Sequence, residues 1–127
     1  MQELHLFEYA VIRVVPRVER DEFLNVGVIL YCARKKYLKA AYALDGDRLK
    51  AFSPKLDIAD IRAHLDSLML ICSGAKDSGP IGQLDLPSRF RWLTAMRSTV
   101  IQTSRVHPGF CKDADLKLEF LMEEQVY

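Results

Sequence analysis

The chain has 127 residues, half of them hydrophobic and 28% charged, with a net charge of +1. That length and balance fit one soluble domain over residues 1–127 and exclude a disordered chain. Near-neutral charge also excludes a protein that coats nucleic acid through a broad basic field.

From the N-terminus, Leu6–Val15 (LFEYAVIRVV) is rich in β-branched and aromatic residues and ends at Pro16, which predicts a strand. Arg17–Asn25 is a charged connection, RVERDEFLN. Val26–Ala33 (VGVILYCA) is almost continuously apolar and predicts a strand interior to a sheet. Arg34-Lys35-Lys36 forms a polar turn into a third strand, Tyr37–Leu44. Short connections between consecutive strands predict an antiparallel meander.

Asp45-Gly46-Asp47 breaks the strand pattern, and a short helical turn is expected through Phe52, before Ser53-Pro54. Asp57 then caps the clearest helix, Ile58 to about Cys72, whose residues Ile58, Ile61, Leu65, Leu68 and Cys72 share one face. Ser73-Gly74 closes it where a C-cap glycine belongs. Lys76–Pro87 reads as a surface loop. Ser88–Met96 predicts a short helix with Phe90 and Trp92 in the core, and Thr99–Thr103 a fourth strand. His107-Pro108-Gly109 reads as a turn. A last helix, starting at Asp113 or Asp115 and ending near Gln125, is expected to turn Leu116, Phe120 and Leu121 to the core. The sum is an α+β domain in two layers: a mostly antiparallel four-stranded sheet packed with two or three helices.

Residues 86–112 contain no Asp or Glu but hold Arg89, Arg91, Arg97, Arg105 and Lys112, with Ser98, Thr99, Thr103, Ser104 and His107 among them. Guanidinium groups suit phosphate and carboxylate because their planar donors bind two oxygens at once. Arg97-Ser98-Thr99 therefore offers a cation, two hydroxyls and backbone N–H groups to an anion. The segment Pro16–Gly27 offers a second polar set, with Arg17, Glu22 and Asn25 beside Arg13 on the first strand. Three scattered cysteines (Cys32, Cys72, Cys111) and three scattered histidines have no metal-ligand spacing, so neither a metal site nor a disulfide framework is expected. There is no GxGxxG, P-loop or GxSxG, and no cofactor is expected. The N-terminus lacks a signal-peptide layout and the apolar runs are too short to span a bilayer, which predicts a cytoplasmic protein without membrane contact.

YAVIRVVPRVERDEFLNVGVILY (Tyr9–Tyr31) and RFRWLTAMRSTVIQTSRVHPG (Arg89–Gly109) resemble the two signature blocks of a bacterial family, domain of unknown function 3037. The likeness extends over nearly the whole chain. Two positions depart from the family pattern: proline is common where this chain has Met96 and frequent where it has Arg105. The resemblance implies that Arg13, Arg17, Glu22, Asn25, Arg97, Ser98, Thr99 and His107 belong to a common site. Some members lie beside genes for HipA-like kinases, which implies such a kinase as a protein partner.

Three function classes follow. The first is a non-enzymatic binding or regulatory module that recognises a protein partner or an anionic ligand through the Arg-rich polar site. The second is a small hydrolase or phosphodiesterase-like enzyme with Glu22 or His107 as general base and Arg97 stabilising a developing anion. The third is nucleic-acid binding through Arg89, Arg91 and Trp92. Exposed edge strands also make a homodimer an expectation.

Overall fold

The structure, a computed structural model, describes residues 3–95 and 99–127. The expected α+β class with an antiparallel sheet is what the chain forms, with five strands rather than four. They are β1 (His5–Val14), β2 (Leu24–Cys32), β3 (Tyr37–Tyr42), β4 (Ile101–Thr103) and β5 (His107–Cys111). The helices are α1 (Gly46–Phe52), α2 (Ile58–Ser73), α3 (Gly79–Gly82), α4 (Leu86–Leu93) and α5 (Ala114–Gln125).

The meander β1-β2-β3 forms as the short connections require, with strand order β3-β2-β1-β4. β1 is the central strand: one edge pairs with β2, and the other is shared end to end by β4 and β5. The segment read as a turn, His107-Pro108-Gly109, is thus the start of a strand. Between Ile12↔Thr103 and Tyr9↔His107, two residues of β1 face three of the opposing chain, Ser104, Arg105 and Val106. This one-residue bulge bends the edge and separates β4 from β5. A second irregularity falls on β2, where Ile12 pairs with Gly27 but Arg13 with Asn25, leaving Val26 extra.

Both faces of the sheet are covered, so the fold has a helix layer on each side rather than the single one expected. Ile12, Val14, Val26 and Ile29 pack against Leu49 of α1, Ile61, Leu65, Leu68 and Cys72 of α2, and Phe90 and Leu93 of α4. On the opposite face, Phe7, Val28, Leu30, Cys32 and Cys111 meet Leu118, Leu121 and Met122 of α5. The double covering explains why β2 is apolar almost without interruption: alternate side chains enter different cores.

The helix ends follow their local chemistry. Asp45, Asp57, Asp85 and Asp113 each accept a backbone N–H three residues on, from Arg48, Asp60, Ser88 and Leu116, which satisfies an otherwise orphan donor. Gly74, at φ 72°, closes α2 by donating to the carbonyls of Leu70 and Ile71. The predicted inward face of α5 is corrected: Leu121 is buried, but Leu116 and Phe120 are exposed and Leu118 and Met122 take their places. Within Lys76–Pro87, read as a loop, α3 and a short 3-10 turn form, and α4 begins at Leu86. Among the described residues, no helix is long and apolar enough to cross a membrane.

Candidate functional site

Pro16 ends β1 because it has no N–H to give to a ladder. Just before it, the Val15 N–H donates to the Val100 carbonyl at 2.7 Å. That bond is where the two polar segments, Pro16–Gly27 and 86–112, meet. Beyond Pro16 the chain passes through a 3-10 turn, Val18–Arg20, and then Asp21 at φ 56°, before β2.

The spacing of this turn pairs each arginine with a carboxylate two residues on. Arg17 Nε lies 3.1 Å from Glu19 Oε1, and Arg20 Nη2 lies 2.9 Å from Glu22 Oε1. All four side chains are more than half exposed. Such solvated pairs add little net stability, so an incoming anion can compete for either guanidinium. The carboxyl of Glu19 is held below its usual range, first by its own backbone N–H and then by Arg17.

Facing this turn is the α1–α2 connection. Lys50 Nζ ties it down by donating to the carbonyls of Leu56 at 2.5 Å and Pro54 at 3.4 Å. The two connections enclose an open cleft of about 580 Å³, lined by Pro16, Arg17, Arg20 and Glu22 from one side and Phe52, Ser53, Pro54 and Lys55 from the other. Three cations face one carboxylate there, beside three apolar side chains and a hydroxyl. Lys55 makes no ion pair among the described residues.

The residues of the expected common site are distributed over several places. Arg17 and Glu22 come together in the cleft. Arg13 and Asn25 pair directly across β1 and β2 but lie on the α5 face. There Asn25 Nδ2 donates to the Gln125 carbonyl at 3.0 Å, and the Arg13 guanidinium stacks 3.9 Å from the Phe23 ring centroid. Burial lowers the Arg13 pKa from its ordinary value, and Asp21 partly offsets this. Thr99 sits near the cleft end of the sheet, its Oγ1 donating to the Ile101 carbonyl at 2.6 Å. His107 is exposed opposite Tyr9, midway along β1, with the two rings 5.4 Å apart. From Tyr9 to Val15 is roughly 20 Å of extended strand, so Glu22 and His107 do not share a site. Arg97 and Ser98 lie outside the described residues.

The arginine–aromatic set of α4 is also divided. Arg89 Nη1 donates to the carbonyls of Leu84 at 3.0 Å and Gly82 at 3.5 Å, and its guanidinium packs over Gly74 at the end of α2. Trp92 packs half-buried against the larger core, while Arg91 is exposed. Arg89 is therefore a clamp between α2 and the loop before α4.

Arg20, Ser53 and Lys55 are the cleft residues that the sequence reading left out of the site. The charge run around Arg20 was visible. Nothing in the sequence, however, says that Ser53-Pro54-Lys55 faces it, because the two connections are brought together only by sheet and helix packing. Among the described residues, no group of three or more His, Cys, Asp or Glu could hold a metal ion.

An antiparallel sheet clothed by helices on both faces, with a cation-lined cleft at one end of its central strand, defines a small α+β protein. A family model described as protein of unknown function (DUF3037) matches residues 9–126, and the chain belongs to that family. No curated protein and no solved structure matched the chain.

Proposed function

We propose that the protein is a non-enzymatic binding module for a small anionic ligand, held in the cleft between the β1–β2 and α1–α2 connections. The observation that carries this reading is the cationic lining, Arg17, Arg20 and Lys55 against Glu22, with Glu19 paired to Arg17 beside it and Lys55 unpaired among the described residues. The two guanidinium groups would each chelate a pair of oxygens, and Lys55 would add a point charge with three donors. Pro16, Phe52 and Pro54 would shield one side of the anion from water, which strengthens each charge contact. Glu22 would hold Arg20 in place until the ligand displaces it.

The test is titration of the full chain with inorganic phosphate, pyrophosphate and citrate, read by calorimetry. Saturable binding of at least one anion is expected, weakening as salt rises. The double variant Arg20→Gln/Lys55→Gln is expected to lower affinity by about tenfold or more while leaving the thermal transition in place. Absence of saturable binding, or binding indifferent to that variant, would overturn the proposal.

A further inference from the structure

We infer that β5 is an adhesive edge through which two copies of this chain pair, antiparallel, into a dimer whose interface lies at the opposite end of β1 from the cleft. Among the described residues β5 pairs only with β1, so its other side is an open sheet edge. Open edges recruit further strands unless they are blocked.

The direction of each backbone group follows from the ladder. Val11 donates to Ser104 Oγ and accepts from Ser104 N, and Val15 N donates to Val100 O, so odd-numbered residues of β1 point toward β4 and β5. By the register, His107, Gly109 and Cys111 point inward to β1, and Pro108 and Phe110 point outward. The missing N–H of Pro108 is therefore on the open side, where it removes one donor from any added ladder. Phe110 still offers both its N–H and its carbonyl. An antiparallel second copy centred on Gly109 sets each Phe110 N–H against the Pro108 carbonyl of the other copy, while the Phe110 carbonyl, opposite a proline nitrogen with no hydrogen, is left to water.

The side chains agree with this arrangement. Phe110 is 65% exposed and lies directly across from exposed Leu6. Leu116, 63% exposed, and Phe120 project from α5 beside the same edge and share a groove with Leu4 and Phe110. Apolar groups thus flank the open strand, a placement that monomers generally avoid. Charge selects a second copy as the occupant. Arg105 lies before the strand and Asp113 after it, so antiparallel pairing about Gly109 brings Arg105 of each copy to Asp113 of the other. A parallel neighbour would set like against like.

Sedimentation velocity of the full chain between about 1 and 100 µM tests the inference, together with hydrogen exchange of individual amides. A concentration-dependent dimer is expected, in which exchange of the Phe110 amide slows as the dimer forms. Phe110→Glu is expected to weaken association by about tenfold or more. The exposed-helix variant Leu116→Lys/Phe120→Lys, which leaves the sheet untouched, is expected to do the same. A monomer throughout the range would overturn the inference. So would a dimer unaffected by both variants, or a Phe110 amide exchanging equally fast at every concentration.

Discussion

The hydroxyl of Ser104 accepts a hydrogen bond from the Val11 N–H at 2.8 Å, while Ser104 N donates to the Val11 carbonyl at the same distance. A side-chain oxygen thereby completes the ladder at the bulge that divides β4 from β5. Ser104 Oγ also donates to the Arg105 carbonyl at 2.8 Å, so the buried hydroxyl is satisfied both as acceptor and as donor. Ser104→Ala strips the Val11 N–H of its partner in a buried setting, at a cost of about 1–3 kcal/mol. Urea denaturation should show a lower midpoint with an unchanged slope.

Gly27 and Gly46 form a matched pair for substitution by alanine. A Cβ on Gly27 would stand 2.5 Å from the Ala41 carbonyl oxygen on β3, a backbone atom that cannot swing aside. Gly27→Ala must push β3 away from β2 and should cost about 1–3 kcal/mol. Gly46, at the start of α1, has nothing within 4 Å of that position. Gly46→Ala should stabilise by about 0.4–1 kcal/mol through the unfolded chain, and thermal melts of the two variants should move in opposite directions.

Cys32, Cys72 and Cys111 are all buried free thiols. Burial pushes the Cys72 thiol up to about 12, with Arg89 pulling weakly the other way. The thiolate is the reactive species, so native protein at pH 8 should react only slowly with a disulfide reagent. All three thiols should titrate at once in denaturant. Fast labelling of Cys72 in the native protein would contradict the burial described.

Asp115 accepts from Tyr37 OH at 2.7 Å and lies 3.5 Å from Lys39 Nζ. These contacts, Tyr37 first, hold the Asp115 carboxyl below its ordinary value. A folded value below the unfolded one stabilises above the unfolded pKa, about 3.9, and the gain is lost as pH falls through the folded value. Tyr37 runs the other way: burial, and then Asp115, raise its pKa, so its contribution is lost as pH rises through that raised value. Between these limits the contribution of the Asp115–Tyr37 pair should not change with pH. Asp115→Asn should flatten the acid limb in pH-dependent unfolding, and an acid limb identical to the unmodified chain would refute this.

Much of the fold was legible because its causes are local. The spacing of Ile61, Leu65, Leu68 and Cys72 and the cap residues Asp57 and Gly74 specify α2 within its own length. The apolar run of β2 declared a buried strand. α5 was harder, because ADLKLEFLMEEQ allows more than one apolar stripe. Leu116 and Phe120 make one, Leu118 and Met122 another, and only docking on Phe7, Val28 and Leu30 selects the second. Pro108 and Gly109 carried turn signals that an edge strand tolerates. The proline nitrogen faces outward, and Gly109 lies under the Phe7 ring, where a Cβ would come within 2.7 Å.

The candidate site was half legible. The acid-free stretch 86–112 drew attention by its charge, yet Arg89 spends its guanidinium on the carbonyls of Gly82 and Leu84. Arg17 and Glu22 reached the cleft, but Lys55, across from them, carried no signal of its own.

What the sequence by itself determined is most of the elements, β5 and α3 excepted, since capping bonds and periodic burial are written within a few residues of chain. Only the tertiary structure decided which faces meet a helix and which connections face each other. Those outcomes depend on strand pairing between distant residues, as at Val15 and Val100, and on two helix layers competing for one sheet. Beyond the apolar run of β2, no local pattern of charge or hydropathy encodes them.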